Sequence, residues 1–241
     1  MITKAQVKHI QSLDDKKNRI AFGEFIVEGD KMVRELLSSN LNIHHVFAVE
    51  EWVLANRQLL QNTEYSIVEP FELQRISMQQ HPNQVLALSG LPIWTNESEE
   101  GVCLVLTGIQ DPGNLGSIIR IADWFGVSRI YCSHDTVDFL NPKVVQASMG
   151  SVFRVPVVYT SIEELLAKTT WPIIGTALGG VSLASVEKIS KGYVVIGNES
   201  KGVPLEILKF CTQQVQIPGK GEAESLNAAV ATGIVCFALL S

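Results

Sequence analysis

The chain is 241 residues long, 46% apolar and 18% charged, with 18 Gly and 9 Pro. Such a composition can build a core, which excludes a disordered or collagen-like chain, and the length suits one large or two small domains. The 19 basic and 25 acidic residues leave a net charge of −6, so no global basic field points to a nucleic-acid partner.

The opening segment, MITKAQVKHIQSL, carries lysines but no apolar run of the kind a secretory signal needs. Residues 1–22 hold Lys4, Lys8, Lys16, Lys17 and Arg19 against Asp14 and Asp15, and Phe22 and Phe25 follow. A basic stretch beside aromatics suits RNA, through phosphate contacts and base stacking. The plainer alternative is a solvated amphipathic helix with core phenylalanines. EFIVE (Glu24–Glu28) predicts a strand and Gly29 a turn into a helix over Asp30–Ser38. A strand over Val46–Val49, a helix over Glu50–Leu60 and short strands at Ile67–Val68 and Val85–Leu88 complete a small α/β domain over residues 1–90. LPIWTNESEEG, residues 91–101, breaks the composition and is predicted to be a linker.

From residue 102 the pattern is strongly α/β. Val102–Leu106 is a continuous apolar strand; the turn Gln110-Asp111-Pro112-Gly113 follows, then a helix over Leu115–Phe125. Arg129–Cys132 predicts a strand, Pro142–Met149 a helix, and Pro172–Thr176, Tyr193–Gly197 and Gln213–Pro218 three more strands. The last helix, Leu226–Leu240, is apolar nearly all round and is expected to be buried. Apolar strands alternating with helices predict a mostly parallel sheet covered on both faces. No apolar run reaches the roughly 20 residues of a membrane span. The four cysteines (Cys103, Cys132, Cys211, Cys236) lie far apart in apolar runs, without metal-ligand or disulfide spacing. A cytoplasmic protein with buried thiols and no metal is expected.

Three of these strands run into glycine-rich segments: Ile174–Gly180, Gly197–Gly202 and Ile217–Gly221. Ligands of open α/β sheets bind beyond the carboxyl ends of the strands, where glycine lets backbone amides approach closely. GxxxxGK[ST], GxGxxG after the first strand of this domain, and GxSxG are all absent from the sequence. A phosphate-loop nucleotide hydrolase is thereby disfavoured, and any nucleotide-like ligand must be held differently. In GIQDPGNLGSIIRIADWFGV (Gly108–Val127), Asn114 is placed to cap the helix beginning at Leu115. Arg120 is either a solvent-facing partner of Asp123 at i+3 or, six residues from Asn114, a second polar group directed to the same end of the helix. In ESLNAAVATG, Ser225 is the expected N-cap and Asn227 a first-turn residue; polar groups opening a buried helix need partners, and a ligand would serve.

Taken in order, GIQDPGNLGSIIRIADWFGV, VVIGNESKGVP (Val194–Pro204) and VQIPGKGEAESLNAAVATGI (Val215–Ile234) resemble the three signature motifs of the SpoU (TrmH) family, RNA ribose 2′-O-methyltransferases of the SPOUT class. The first domain, with EFIVEG and HPNQVLAL, is more loosely similar to that family's ribosomal-protein-like RNA-binding domain. The resemblance implies a parallel-sheet methyltransferase domain over 102–241 with a deep trefoil knot, a homodimer formed through it, and rRNA more than tRNA as substrate. It implies S-adenosylmethionine held at Thr176, Ala177, Leu178, Ile196, Gly197, Ile217 and Leu226, and a catalytic set of Asn114, Arg120, Glu199, Ser225 and Asn227. Lys16, Lys17 and Arg19 would contact RNA. Gly219 stands where many relatives have methionine, and His81 where they often have Ser or Thr. The alternative on the same fold is a non-catalytic RNA-binding or protection protein.

Overall fold

The computed structural model describes residues 1–94, 100–198 and 200–241. Residues 95–99 of the linker expected at 91–101, and the motif residue Glu199, therefore lie outside the described residues. The chain divides into two compact units, residues 1–94 with 140–153, and residues 95–139 with 154–241. Segment 140–153, read from sequence as part of the second domain, clusters with the first unit.

The first unit begins with helices α1 (Lys4–Ser12) and α2 (Lys16–Phe22). Its four strands are β1 (Glu24–Glu28), β2 (Ile43–Ala48), β3 (Tyr65–Ile67) and β4 (Val85–Gly90), with helices α3 (Asp30–Leu37), α4 (Glu50–Ala55) and α5 (Pro70–Ile76) between them. The sheet order is β1-β4-β2-β3, antiparallel except for β2 and β3. Ile10, Leu13, Ile26, Phe47, Ile76 and Leu86 form the core on one side. The sequence reading missed α5, which opens with a capping box made by Glu69 and Glu72 and has Pro70 at its first position.

In the second unit β5 (Val102–Leu106), β6 (Arg129–Cys132), β7 (Val157–Tyr159), β8 (Ile173–Ser182), β9 (Gly192–Ile196) and β10 (Gln213–Gln216) form one sheet, order β10-β8-β9-β5-β6-β7. Every pairing is parallel, as continuous apolar runs such as VCLVL predict. Helix α6 (Pro112–Trp124) follows β5, α7 (Pro142–Ser148) belongs to the first unit, and α8 (Ile162–Lys168), α9 (Leu205–Leu208) and α10 (Ala228–Leu240) complete the chain. The parallel order brings the carboxyl ends of β10, β8, β9 and β5 to one edge, and the three motifs lie at the ends of β5, β9 and β10.

Burial of the thiols follows the sequence reading: Cys103, Cys132 and Cys236 are buried and Cys211 half-buried. Desolvation pushes the Cys211 thiol up to about 11 and Cys236 up to about 12, and raises Cys132 as well. All three stay protonated, hence unreactive, at neutral pH. Among the described residues no helix is long and apolar enough to cross a membrane, and no cluster of potential ligands could hold a metal ion.

Candidate active site

The segment read as a glycine loop after β8 is part of the strand itself. Gln213 and Gln214 of β10 pair with Ile174 and Gly175, and the next two residues, Val215 and Gln216, with Val181 and Ser182. Five residues of β8, Thr176 to Gly180, are thus pushed out of the ladder as a long bulge. Its ends are fixed: the Thr176 hydroxyl donates to the Val195 carbonyl at 3.1 Å, and the Gly179 N–H to the Gln216 side chain at 2.7 Å. A Cβ on Gly180 would sit 2.7 Å from the backbone of Gln214 and Val215, so only glycine lets β10 pass there. At its crest Leu178 is 91% exposed.

The loop after β9 is tighter still. Gly197 packs directly against the backbone of Gly202 and Val203, and Asn198 and Gly202 close it with a bridge. Ile196, just before it, is buried in the sheet. Past β10, Ile217 is half-buried and Leu226 is 44% exposed. Open space lies beside Gly179 and Gly219. Exposed leucines and unshielded glycine backbone at three neighbouring strand ends fit a flat, partly apolar ligand carrying hydrogen-bonding edges, which describes the adenosyl group of S-adenosylmethionine.

Helix α6 starts three residues earlier than expected, and its cap is Asp111, not Asn114. Asp111 is extended, precedes a proline at N1, and its carboxylate accepts from the Asn114 N–H at 2.8 Å. The Asn114 side chain is thereby left for another role: its Oδ1 accepts from the Asn227 Nδ2 at 2.7 Å. The cap of α10 is likewise Asn227 instead of Ser225, its Oδ1 accepting from the Ala229 and Val230 amides. One asparagine therefore caps α10 and tethers it to α6. Ile121 lies beside Gly233 further along, so the two helices run side by side in the same direction. Their N-termini converge at the asparagine pair, giving a local field that favours negative charge.

Arg120 is exposed on α6, and Asp123, its candidate partner in sequence, is engaged by Arg154 at 2.8 Å. The expected common face with Asn114 does not hold: six residues correspond to about 240° of rotation and about 9 Å of rise. Arg120 instead shares a stripe with Trp124, four residues on and 84% exposed. The last helix also departs from expectation, since Val230, Ile234 and Phe237 are 52%, 38% and 67% exposed along one stripe. Ser225 is exposed just ahead of the helix.

In the first unit Lys16 and Lys17 are exposed on α2, but Arg19 turns inward. Its guanidinium donates to the Leu13 and Asp14 carbonyls at 2.7 Å each, satisfying the open end of α1. Arg19 is thus a structural cap and not an exposed phosphate contact. Phe25 is core, whereas Phe22 is exposed and edge-on to His9, whose Nε2 lies 2.7 Å from Glu24. We expect Arg19→Ala to cost about 2–3 kcal/mol in thermal unfolding by orphaning buried carbonyls. Lys16→Gln/Lys17→Gln should leave the melting temperature alone and flatten the salt dependence of RNA binding.

The family model for the SpoU rRNA Methylase family matches residues 101–237, and that for the MRM3-like substrate binding domain matches residues 4–87. The chain is 29% identical over 239 residues to the 23S rRNA (guanosine(2553)-2′-O)-methyltransferase RlmP of Bacillus subtilis, covering 97% of this chain and 95% of that protein. Among solved structures it resembles an AdoMet-bound rRNA methyltransferase from Sinorhizobium meliloti (TM-score 0.86, 29% identity, 99% of this chain and 95% of that one). It also resembles the SpoU methyltransferase AviRb of Streptomyces viridochromogenes in complex with AdoMet (TM-score 0.85, 26% identity, 98% and 97%).

Proposed function

The chain belongs to the SpoU rRNA Methylase family, and on that premise we propose that it methylates the ribose 2′-OH of a guanosine in large-subunit rRNA, using S-adenosylmethionine as donor. The carrying observation is the Asn114–Asn227 hydrogen bond, which joins the first and third motifs at the N-termini of two helices. When bound, S-adenosylmethionine supplies an electrophilic methyl group; the protein must orient a weakly acidic hydroxyl behind it and manage its proton.

The bulge Thr176–Leu178, the Ile196–Gly197 turn, Ile217 and Leu226 hold the donor, largely through main chain. Asn114 and Asn227, each fixed by the other, orient the ribose, with Ser225 beside them. A guanidinium is a fixed positive charge and a poor base, so Arg120 grips the target phosphate and stabilises the developing alkoxide. Glu199, assigned by its motif, takes the proton, directly or through water. Lys16 and Lys17 anchor the RNA through phosphates. The deep trefoil knot that the family resemblance implies belongs to the same reading.

A homodimer through α6 and α10, in the cytoplasm, completes it. Trp124, Val230, Ile234 and Phe237 form an apolar stripe too continuous for a lone surface, and a second copy would cover it. Arg120, on the Trp124 stripe and turned away from Asn114 of its own chain, then borders the interface and serves the ribose held by the second copy. Phe237→Asp should convert a dimer to a monomer in analytical ultracentrifugation and depress methyl transfer with it; a wild-type monomer would overturn this part. The reading as a whole is tested by transfer from labelled S-adenosylmethionine to unmodified rRNA and tRNA, with nucleosides resolved after digestion. The expected product is 2′-O-methylguanosine in the rRNA pool.

A further inference from the structure

Beside the donor loops, the second unit contains a cavity of about 420 Å³ at the carboxyl ends of β5, β6 and β9. We propose that this cavity receives the base of the target nucleotide and that Asp135 selects guanine there. The proposal rests on the methyl-transfer reading above and names how that site chooses its substrate.

The cavity adjoins both halves of the site through the chain itself. Asn198 and Gly202 on its wall belong to the loop that starts at Gly197, and Gly108 and Gln110 lead directly to Asp111, the α6 cap. Gln110 of the wall precedes Asn114 by four residues, so the segment proposed to orient the ribose also borders the place proposed for its base.

The wall is built around Asp135. Gly108, at φ +67°, donates its N–H to the Ser133 hydroxyl at 2.9 Å, and that hydroxyl donates to Asp135 Oδ1 at 2.5 Å. The Asn198 amide donates to the Gly108 carbonyl at 2.8 Å, while its oxygen accepts from the Ser200 amide at 2.9 Å. The other carboxylate oxygen, Oδ2, lies 3.0 Å from where a Cβ on residue 108 would be, so glycine leaves that side open. Asp135 itself is exposed to the cavity mouth. Each polar group of this network is satisfied by its neighbours except the carboxylate, whose lone pairs exceed the one donor given to it.

Charge argues for a neutral base over a phosphate. Among the described residues, Asp135, Glu163 and Glu206 line the cavity against Lys201 alone. A carboxylate accepts only, so it pairs with an edge offering two adjacent N–H donors. Guanine presents such an edge, N1–H beside its 2-amino group. Adenine, cytosine and uracil each place an acceptor next to the donor, which the carboxylate repels. Reading an extruded base by its Watson–Crick edge is the usual solution where chemistry must reach a single nucleotide.

The test first uses the wild-type protein to map the methylated nucleotide in an unmodified large-subunit rRNA transcript. A short RNA spanning that position is then made with guanosine or with inosine, which lacks the 2-amino group. The wild type should favour guanosine by about 10- to 100-fold in kcat/KM. Asp135→Ala and the isosteric Asp135→Asn should lose about that factor on guanosine and show no preference over inosine. S-adenosylmethionine affinity by calorimetry and the melting temperature should be unchanged, as suits an exposed side chain. A product other than 2′-O-methylguanosine, a wild-type preference near one, or a preference that survives Asp135→Ala overturns the assignment. Absence of transfer by the wild type to any RNA overturns the methyl-transfer reading, and the base assignment with it.

Discussion

Arg120→Ala lowers the rate of methyl transfer by about 100- to 1,000-fold, the usual loss when a preorganised charge at a developing oxyanion is removed. Melting temperature and S-adenosylmethionine affinity stay at wild-type values, because Arg120 is exposed, its neighbour Asp123 is engaged elsewhere, and the donor segments lie on other elements. Arg120→Lys recovers little of the rate, since a point charge does not reproduce the guanidinium's two-pronged grip on a phosphate. The decisive measurement is the pH dependence of kcat/KM in single-turnover assays. If the guanidinium acts as a fixed charge, the alanine variant keeps the acid limb of the wild-type profile at a lower rate throughout. Disappearance of that limb would make Arg120 the proton acceptor and overturn its assignment as a fixed charge.

Gly197→Ala is expected to be the most damaging single methyl group in the second unit. A Cβ there is driven into the backbone of Gly202 and Val203, which has no rotamer by which to yield. The loop must open, breaking the Asn198–Gly202 bridge and the Asn198 hydrogen bond to Gly108. We expect a loss of about 3 kcal/mol or more in unfolding free energy. Donor affinity, read by calorimetry, should fall by more than about tenfold, a loss of over about 1.4 kcal/mol. Gly219→Ala is the control: open space surrounds its position, and its stability should match the wild type. Equal melting temperatures for the two variants would show that the 197–203 loop adjusts freely.

Local signals in the sequence are legible, and those that depend on distant partners are not. Val102–Leu106 is legible because a strand buried on both faces is apolar without interruption. Val157–Tyr159 is not, because three residues at the edge of a sheet carry too little pattern to stand out. Among candidate site residues, the motif order and the glycines pointed to strand ends that the structure brings to one edge of the sheet. The Asn114–Asn227 pair was not legible as a contact, since it joins positions 113 apart and replaces two local caps that each looked sufficient. Arg19 shows the converse. Its charge counts equally with those of Lys16 and Lys17 in any tally, yet geometry commits it to the end of a neighbouring helix. The apolar surround of α10 predicts a buried helix, whereas Val230, Ile234 and Phe237 are exposed in the single chain. Asp135, outside every motif, carried no signal at all; it is found only once β5, β6 and β9 are side by side.

The strand order β10-β8-β9-β5-β6-β7 separates two tasks along one edge of a single sheet. On the proposed reading, the bulge of β8 and the segments after β10 serve the methyl donor, while the loops after β5 and β6 and the start of α8 line the cavity assigned to the base. Only the loop after β9 belongs to both. Descendants of such a protein can therefore diversify in the nucleotide they modify by drift in the β5–β7 loops, while selection holds the β8–β10 half constant. The β9 loop, answerable to both halves, is the segment that neither kind of change can alter freely.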